Sequence, residues 1–285
     1  MFKKAERSKS KLRLGLVGPS GSGKTFSALR IAYGLGGKVA MIDTERSGNL
    51  YSDRFEYDIA DLQEPYSPER YIHHIQLAEK SGYDVLIIDS LSHAWAGTGG
   101  VLDMKDKASS GSSDSFFSGW RVVTPKHNAL VDKLLSCNMH LIATMRAKSA
   151  YEMEQYTDNQ GKKKTKPVKI GLAPVQREGL DYEFTVVFDM SVQDHIASTS
   201  KDRTSLFDGQ FFTPDETTGE KLLEWLNTGI DYAAIAAELE KGMKEAKTDA
   251  ELEKFVEDNN YKFKDNPNRK KLVEAYRARK EEFKS

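Results

Sequence analysis

The feature that most constrains this chain is an eight-residue turn: Gly18, Pro19, Ser20, Gly21, Ser22, Gly23, Lys24 and Thr25. It stands directly behind the apolar run at 12–17 (LRLGLV) and ahead of a helical pattern over 25–35. The turn fulfils G-x-x-x-x-G-K-[ST]. Glycines there let successive backbone N–H groups converge on an anion at a helix N-terminus. The spacing predicts a triphosphate cradle in which Lys24 reaches the β- and γ-phosphates and Thr25 places its hydroxyl on Mg²⁺. A strand that must enter this turn and leave as a helix is the first unit of an α/β fold.

The rest of the chain repeats that rhythm. Short, continuous apolar runs recur at 38–42 (KVAMI), 85–88 (VLII), 140–143 (HLIA) and 184–188 (FTVVF). Continuous rather than alternating apolarity suits strands buried on both faces. Helical patterns separate them: 25–35, then 68–80 with Ser67 as N-cap, Pro68 at the first position and Gly82 at the end, then 120–136. Alternating strands and helices predict a mostly parallel, helix-covered sheet. Two stretches interrupt it. Residues 97–119, with GTGG and SSGSSDS, read as a mobile Ser/Gly loop, and 150–175, with DNQG and KKKTK, as a hairpin with a basic tip.

The strand ends supply acidic partners for a phosphate site. VLIID closes on Asp89, where a carboxylate holds Mg²⁺ directly or through water. KVAMI runs into Asp43-Thr44-Glu45-Arg46, which puts Asp43 and Glu45 at the C-terminal edge of the sheet, where open α/β folds bind ligands. One of the two is free to orient or deprotonate an attacking water, and the other to cap a turn.

GPSGSGKT, MIDTE and VLIIDS together resemble the RecA/RadA-like recombination ATPases. That resemblance implies a RecA-like P-loop core, ATP with Mg²⁺, and Glu45 as the general base. ATMRAK at 143–148 is similar to the family's Asn-Gln-hydrophobic-Arg-x-Lys segment, with Thr144 in the place of the glutamine that senses the γ-phosphate. By the same resemblance Lys201 and Arg203 are the late-strand cations that reach a neighbouring subunit's nucleotide, which implies a homo-oligomer, ring or filament. With GWRVVTPKHNAL and REGLDYEFTVVFDM added, residues 12–228 look most like the phage-encoded RecA-like single-strand annealing and recombination ATPases, the Sak group. Single-stranded DNA is the implied partner.

Candidates for gripping that DNA are Arg146, Lys148, Lys162, Lys163, Lys164, Lys166 and Lys169, with Tyr151 and Tyr156 available to stack bases. They occupy the place of the family's second DNA loop. Phe116, Phe117 and Trp120 occupy the place of the first, where they contact DNA or anchor the loop. The basic arm at 1–11 touches phosphates, binds an adjacent protomer or stays disordered. With 42 Lys and Arg against 43 Asp and Glu, the chain is not a uniformly cationic coat, so any nucleic-acid surface is local.

The core is expected to span 12–229, followed by three amphipathic helices over 230–285. A capping box at Thr248 and Glu251 and a start at Asn266 mark two of them. This appendage is a self-contained bundle or a docking module for a partner such as a single-strand-binding protein. One cysteine, Cys137, excludes a disulfide framework and is read as a buried apolar position. His73 and His74 lack ligand-spaced partners and read as surface positions. No apolar run approaches membrane length and the first residues lack a secretory pattern, so a cytoplasmic protein is expected. The competing readings are a hexameric helicase-like motor and a nucleotide-gated regulatory ATPase that binds protein. A small-molecule kinase would leave the DTE and KDR segments unused.

Overall fold

The computed structural model describes residues 5–109, 115–157, 163–264 and 266–283, and the chain divides into two units. The larger, Lys11–Trp225, is an eight-stranded sheet with helices. Its elements are β1 (Arg13–Gly18), α1 (Lys24–Leu35), β2 (Val39–Asp43), β3 (Asp58–Asp61), α2 (Pro68–Lys80), β4 (Val85–Asp89), α3 (Ser92–Ala96), α4 (Val101–Ser109), α5 (Ser115–Ser136), β5 (His140–Thr157), β6 (Lys163–Pro174), β7 (Val186–Met190), β8 (Ala197–Asp202) and α6 (Glu216–Asn227).

Strand order is β3-β2-β4-β5-β1-β7-β8, with β6 paired to β5 off this path. All neighbours from β3 through β7 in that order are parallel, while β7–β8 and β5–β6 are antiparallel. The apolar runs explain the centre: Val85, Leu86, Ile87 and Ile88 are fully buried, as strands covered on both faces require. Each such side chain contributes roughly 1.5–3 kcal/mol by leaving water. β3 carries no such signal, because its sequence DIAD is short, polar and partly exposed at the sheet edge. Its pairing with β2, from Ala40↔Asp58 to Asp43↔Asp61, forms it.

Several local expectations change. The stretch at 97–119 contains helix rather than loop. Val101 is buried, the Asp103 carboxylate accepts from the Gly99 N–H at 2.7 Å, and Lys107 pairs with Asp103 one turn on. These anchors outweigh the Gly/Ser composition, while 110–114 lie outside the described residues. Trp120 stacks on Trp95 with centroids 5.9 Å apart, so it anchors to the core. The hairpin forms, pairing Ala147↔Pro174 through Thr157↔Lys163. Lys163, Lys164, Lys166 and Lys169 belong to the strand β6 rather than to a tip, and Lys162 lies outside the described residues. The Ser67 side chain makes no cap to α2, although Pro68 does open it. Cys137 is buried and His73 and His74 ride on α2.

The second unit joins Met1–Ser10 to Leu226–Ser285. It holds four helices among the described residues: α7 (Tyr232–Glu245), α8 (Asp249–Asp258), the short α9 (Asn260–Lys264) and α10 (Arg269–Glu282). Leu239, Met243, Leu252, Phe263 and Leu272 form its core. Asp231 caps α7 through the Ala234 N–H at 2.8 Å, and Thr248 caps α8 through the Glu251 N–H at 3.2 Å. Glu251 closes the motif by accepting from the Lys247 N–H. The last helix starts later than the Asn-Pro pair suggests: Asn266 Oδ1 accepts from the Asn268 N–H, and Asn268 is the cap residue. The described part of the basic arm is tied down, since Arg7 and Lys9 bond backbone-to-backbone with Ile230, and Lys9 Nζ pairs with Asp231 at 3.0 Å.

Arg13 and His140 fasten the start of β5 in the larger unit. The Arg13 guanidinium, 7% exposed, donates to the carbonyls of Leu12, Leu135, Cys137 and Met139. The His140 Nδ1 accepts from the Leu12 N–H at 3.2 Å. Burial, aided by the charges of Lys11 and Arg13, pushes the His140 pKa from 6.5 down to about 4. The unfolded chain takes up this proton near pH 6.5 and the folded chain resists until pH 4. Stability from this group is therefore complete above pH 6.5 and falls by up to about 3 kcal/mol as the pH drops through 4. Denaturant titrations of His140→Gln should lose that part of the acid dependence; an unchanged slope would assign it to another group.

Candidate functional site

Strand order decides which strand ends meet. β5 lies between β1 and β4, with Leu16↔Thr144 on one side and Ile88↔Ala143 on the other. Thr144 therefore arrives beside Asp89, and both face the turn that leaves β1. The Thr25 Oγ1 donates to Asp89 Oδ2 at 2.6 Å, and the Thr144 hydroxyl donates to Asp89 Oδ1. Asp89 is 2% exposed. Burial pushes its carboxyl up, against the two hydroxyl donors. Thr144, itself fully buried, thus spends its hydroxyl on Asp89, a different contact from that of a residue directed at a phosphate. The phosphate turn itself is tight. Ser22 Oγ and Lys24 Nζ both donate to the Pro19 carbonyl, at 2.9 and 2.8 Å, and Gly23, at φ 80°, enters α1 without a side-chain cap. Its left-handed φ is what admits glycine here, and the first N–H groups of α1 are left for an anion. Burial pushes the Lys24 ammonium below its usual range, opposed by the charges of Asp89 and Glu45.

Asp43 and Glu45 divide their roles sharply. Asp43, 2% exposed, accepts from the Glu45 N–H at 2.7 Å and the Arg46 N–H at 3.0 Å on one oxygen, and from the Gly48 N–H at 2.7 Å on the other. It is the clamp that shapes the loop, holding Arg46 at φ 58°. Glu45 is carried outward by that clamp into the cleft. Its Oε1 accepts from Ser90 Oγ at 2.8 Å and from Arg146 Nε at 3.0 Å, and Oε2 pairs with the Arg146 terminal nitrogen. Burial pushes the Glu45 carboxyl up, but the donors Arg146 and Ser90 more than offset this and hold it below the usual carboxylate range. Behind it the Thr44 hydroxyl receives the Ser90 N–H and touches His93 Nδ1, both at 2.8 Å.

Pro19, Ser20, Gly21, Gly23, Lys24, Thr25, Glu45, Asp89 and Arg146 thus line one cleft of about 560 Å³. Gly21, Gly23 and Tyr51 also border an adjoining hollow with Phe26, Arg54 and His195. Arg146, expected with the DNA-facing lysines, instead faces the cleft because the half-buried Glu45 carboxylate binds it. Lys148 is exposed beyond it. Lys201 and Arg203 stand apart from this cleft. Both donate to the Tyr182 carbonyl, and Lys201 also to that of Asp181 at 3.0 Å. Ser90 closes the VLIIDS segment, but nothing in that segment gives it a role of its own; His93, Tyr51 and Arg54 belong to no motif, and nothing in their local sequence singles them out. Among the described residues no group of three or more His, Cys, Asp or Glu is arranged to hold a metal ion, and no helix is long and apolar enough to cross a membrane.

Residues 10–218 match the sequence model of the AAA domain. The chain belongs to the AAA domain family. It is a P-loop ATPase of the AAA class, and the Asp89, Lys24 and Thr25 cluster lies inside the matched AAA region. Among solved structures, the RadB recombinase aligns at 18% identity with a TM-score of 0.40, over 74% of this chain and 90% of that one. An ATPase from the type III secretion system of pathogenic bacteria aligns at 13% identity with a TM-score of 0.35, over 94% and 80%. At these scores neither adds to the family assignment. No curated protein matches the chain.

The clamp predicts a stability effect. Asp43→Ala removes three charge-assisted bonds and should cost about 2–4 kcal/mol, read as a lower denaturant midpoint at unchanged slope. A midpoint within error of the parent would remove Asp43 from this role.

Proposed function

We propose that this AAA-domain protein hydrolyses ATP with Mg²⁺ and assembles on single-stranded DNA to support annealing or recombination, in the manner of the phage-encoded RecA-like ATPases. The observation that carries the hydrolytic part is the convergence of Lys24, Thr25, Asp89 and Glu45 on one cleft at the N-terminus of α1. The Thr25 hydroxyl and the Asp89 carboxylate, 2.6 Å apart, form an all-oxygen donor pair suited to a hard cation that keeps several waters. They are the residues that would hold Mg²⁺, which when bound would neutralise charge on the phosphate oxygens. Lys24 turns from the Pro19 carbonyl to the β- and γ-phosphates. Glu45 accepts the proton of the attacking water, positioned by Ser90. The hollow beside Phe26, Tyr51 and Arg54 continues the same cleft and takes the nucleoside.

The DNA part rests on the hairpin. β5 runs from Thr144 beside Asp89 into an antiparallel arm, with a register shift at Ala150/Tyr151, whose partner strand carries Lys163, Lys164, Lys166 and Lys169. Lysines along such an arm neutralise phosphates without reading bases. Lys201 and Arg203, two residues apart and sharing the Tyr182 carbonyl, are assigned to the nucleotide of an adjacent subunit, so the working form is an oligomer. The helical unit, with its own core, is assigned to a single-strand-binding protein.

Glu45→Gln should bind ATP as the parent does and lose turnover by roughly 10²–10⁴-fold; retained turnover removes Glu45 from the chemistry. Single-stranded DNA should raise the ATPase rate and produce filaments or rings in electron micrographs. Absence of both stimulation and binding at low salt overturns the DNA reading. Mixing Lys201→Ala or Arg203→Ala subunits with Lys24→Ala subunits should restore part of the activity if the cations act between subunits, and no recovery at any ratio counts against it.

A further inference from the structure

The helical unit is neutral only in sum. Residues 231–258, which hold α7 and α8, carry nine Asp and Glu against four Lys and Arg, and residues 259–285, which hold α9 and α10, carry four against nine. The basic half gathers at one corner. Lys264 closes α9, and Arg269 and Lys270 open α10. The chain between them turns on Asn266, 4% exposed, whose carbonyl accepts from the Arg269 N–H at 3.0 Å and whose Oδ1 accepts from the Asn268 N–H at 2.9 Å. Lys264, Arg269 and Lys270 are exposed and meet no carboxylate among the described residues, whereas Lys271, next in line, pairs with Glu240 at 2.8 Å. Helix formation does not ask for cations there: α10 has no acidic residue in its first turn and no side-chain cap, and positive charge at that end opposes the helix dipole.

Tertiary structure brings the basic arm to the same place. The Asn266 side-chain amide donates to the Tyr232 carbonyl at 3.2 Å, and the adjacent Asp231 holds Lys9, whose N–H donates to the Ile230 carbonyl at 2.9 Å. Arm and corner are thus fastened to one start of α7. Tyr261, 69% exposed, stands one helical turn before Lys264, with the Lys262 ammonium 6.0 Å from its ring centre. We propose that the arm and the α9–α10 corner form a second nucleic-acid contact, separate from the hairpin, which takes the phosphates of a single strand on Lys264, Arg269 and Lys270 and a base on Tyr261. The side chains set the ligand class: exposed cations along a turn neutralise successive phosphates, and an exposed ring beside them stacks a base. The proposal goes beyond the hairpin reading and does not depend on it, and it leaves the acidic half of the unit to a protein partner.

The test measures binding of the full chain to a labelled oligothymidylate across a salt series. Lys264→Ala, Arg269→Ala and Lys270→Ala combined remove three phosphate contacts, each contributing about 0.7 to the slope of log affinity against log salt, so the slope should become shallower by about 2. These side chains have no ion pair to lose, so turnover without DNA should stay within about twofold of the parent. Tyr261→Ala should keep the slope and weaken oligothymidylate about fivefold or more, while an abasic strand of the same length binds within about twofold of its parent affinity. An unchanged slope in the triple variant overturns the proposal, and loss of polyglutamate binding in its place assigns the corner to an acidic protein. Equal weakening of both strands by Tyr261→Ala overturns the base contact. Lys164→Ala with Lys166→Ala checks the hairpin separately: a loss there with no change at the corner retires this proposal and keeps the hairpin, and the reverse retires the hairpin and keeps the corner.

Discussion

Asp89 is a carboxylate buried at the end of the fourth strand, and the rest of the site depends on two hydroxyls that keep it there. An ionised carboxylate taken out of water without partners costs several kcal/mol. Thr25 and Thr144 each give it one short bond, and they come from opposite directions, one from the first turn of α1 and one from β5. The three residues therefore tie together the phosphate turn, β4 and β5. A strand order in which β5 did not stand between β1 and β4 would leave Asp89 with at most one partner.

The neighbouring carboxylates follow the same rule with different donors. Asp43 stands directly across from Asp89 in the β2–β4 register, so two buried acids sit side by side at the sheet edge. They coexist because each has its own set of donors: backbone N–H groups for Asp43 and hydroxyls for Asp89. Glu45, two residues on, escapes burial only because Asp43 folds the backbone around itself and turns the next carboxylate toward the cleft. The loop clamp and the cleft-facing carboxylate are thus two different acids, two residues apart.

Much of this was legible in the sequence, and the reason differs from element to element. The phosphate turn and its flanking strand and helix are local, written in glycine spacing and short-range apolar pattern, and they form where expected. The strand ends at Asp43 and Asp89 were equally legible because each continuous apolar run ends at its first charged residue. The helix at Val101–Ser109 was not, because Gly and Ser dominate the composition around it while its anchors are a buried valine and one Asp cap. β3 was invisible for a related reason: an edge strand of four residues, two of them aspartates, exists only because β2 offers it hydrogen bonds. The added helix α9 falls in a stretch with too few residues to show a period.

What the sequence by itself determined is the chain's class: a glycine-rich phosphate loop between a buried strand and a helix, in an alternating α/β chain, with acidic residues waiting at two strand ends. Those are short-range facts, set by backbone sterics and side-chain period. What only the tertiary structure decided is which of those acids is bound by what. The Thr144–Asp89 bond spans 55 residues and the Arg146–Glu45 pair 101. No local pattern connects such positions. They meet because parallel pairing inserts β5 between β1 and β4 and so sets a threonine beside one buried acid and an arginine over the mouth of the cleft.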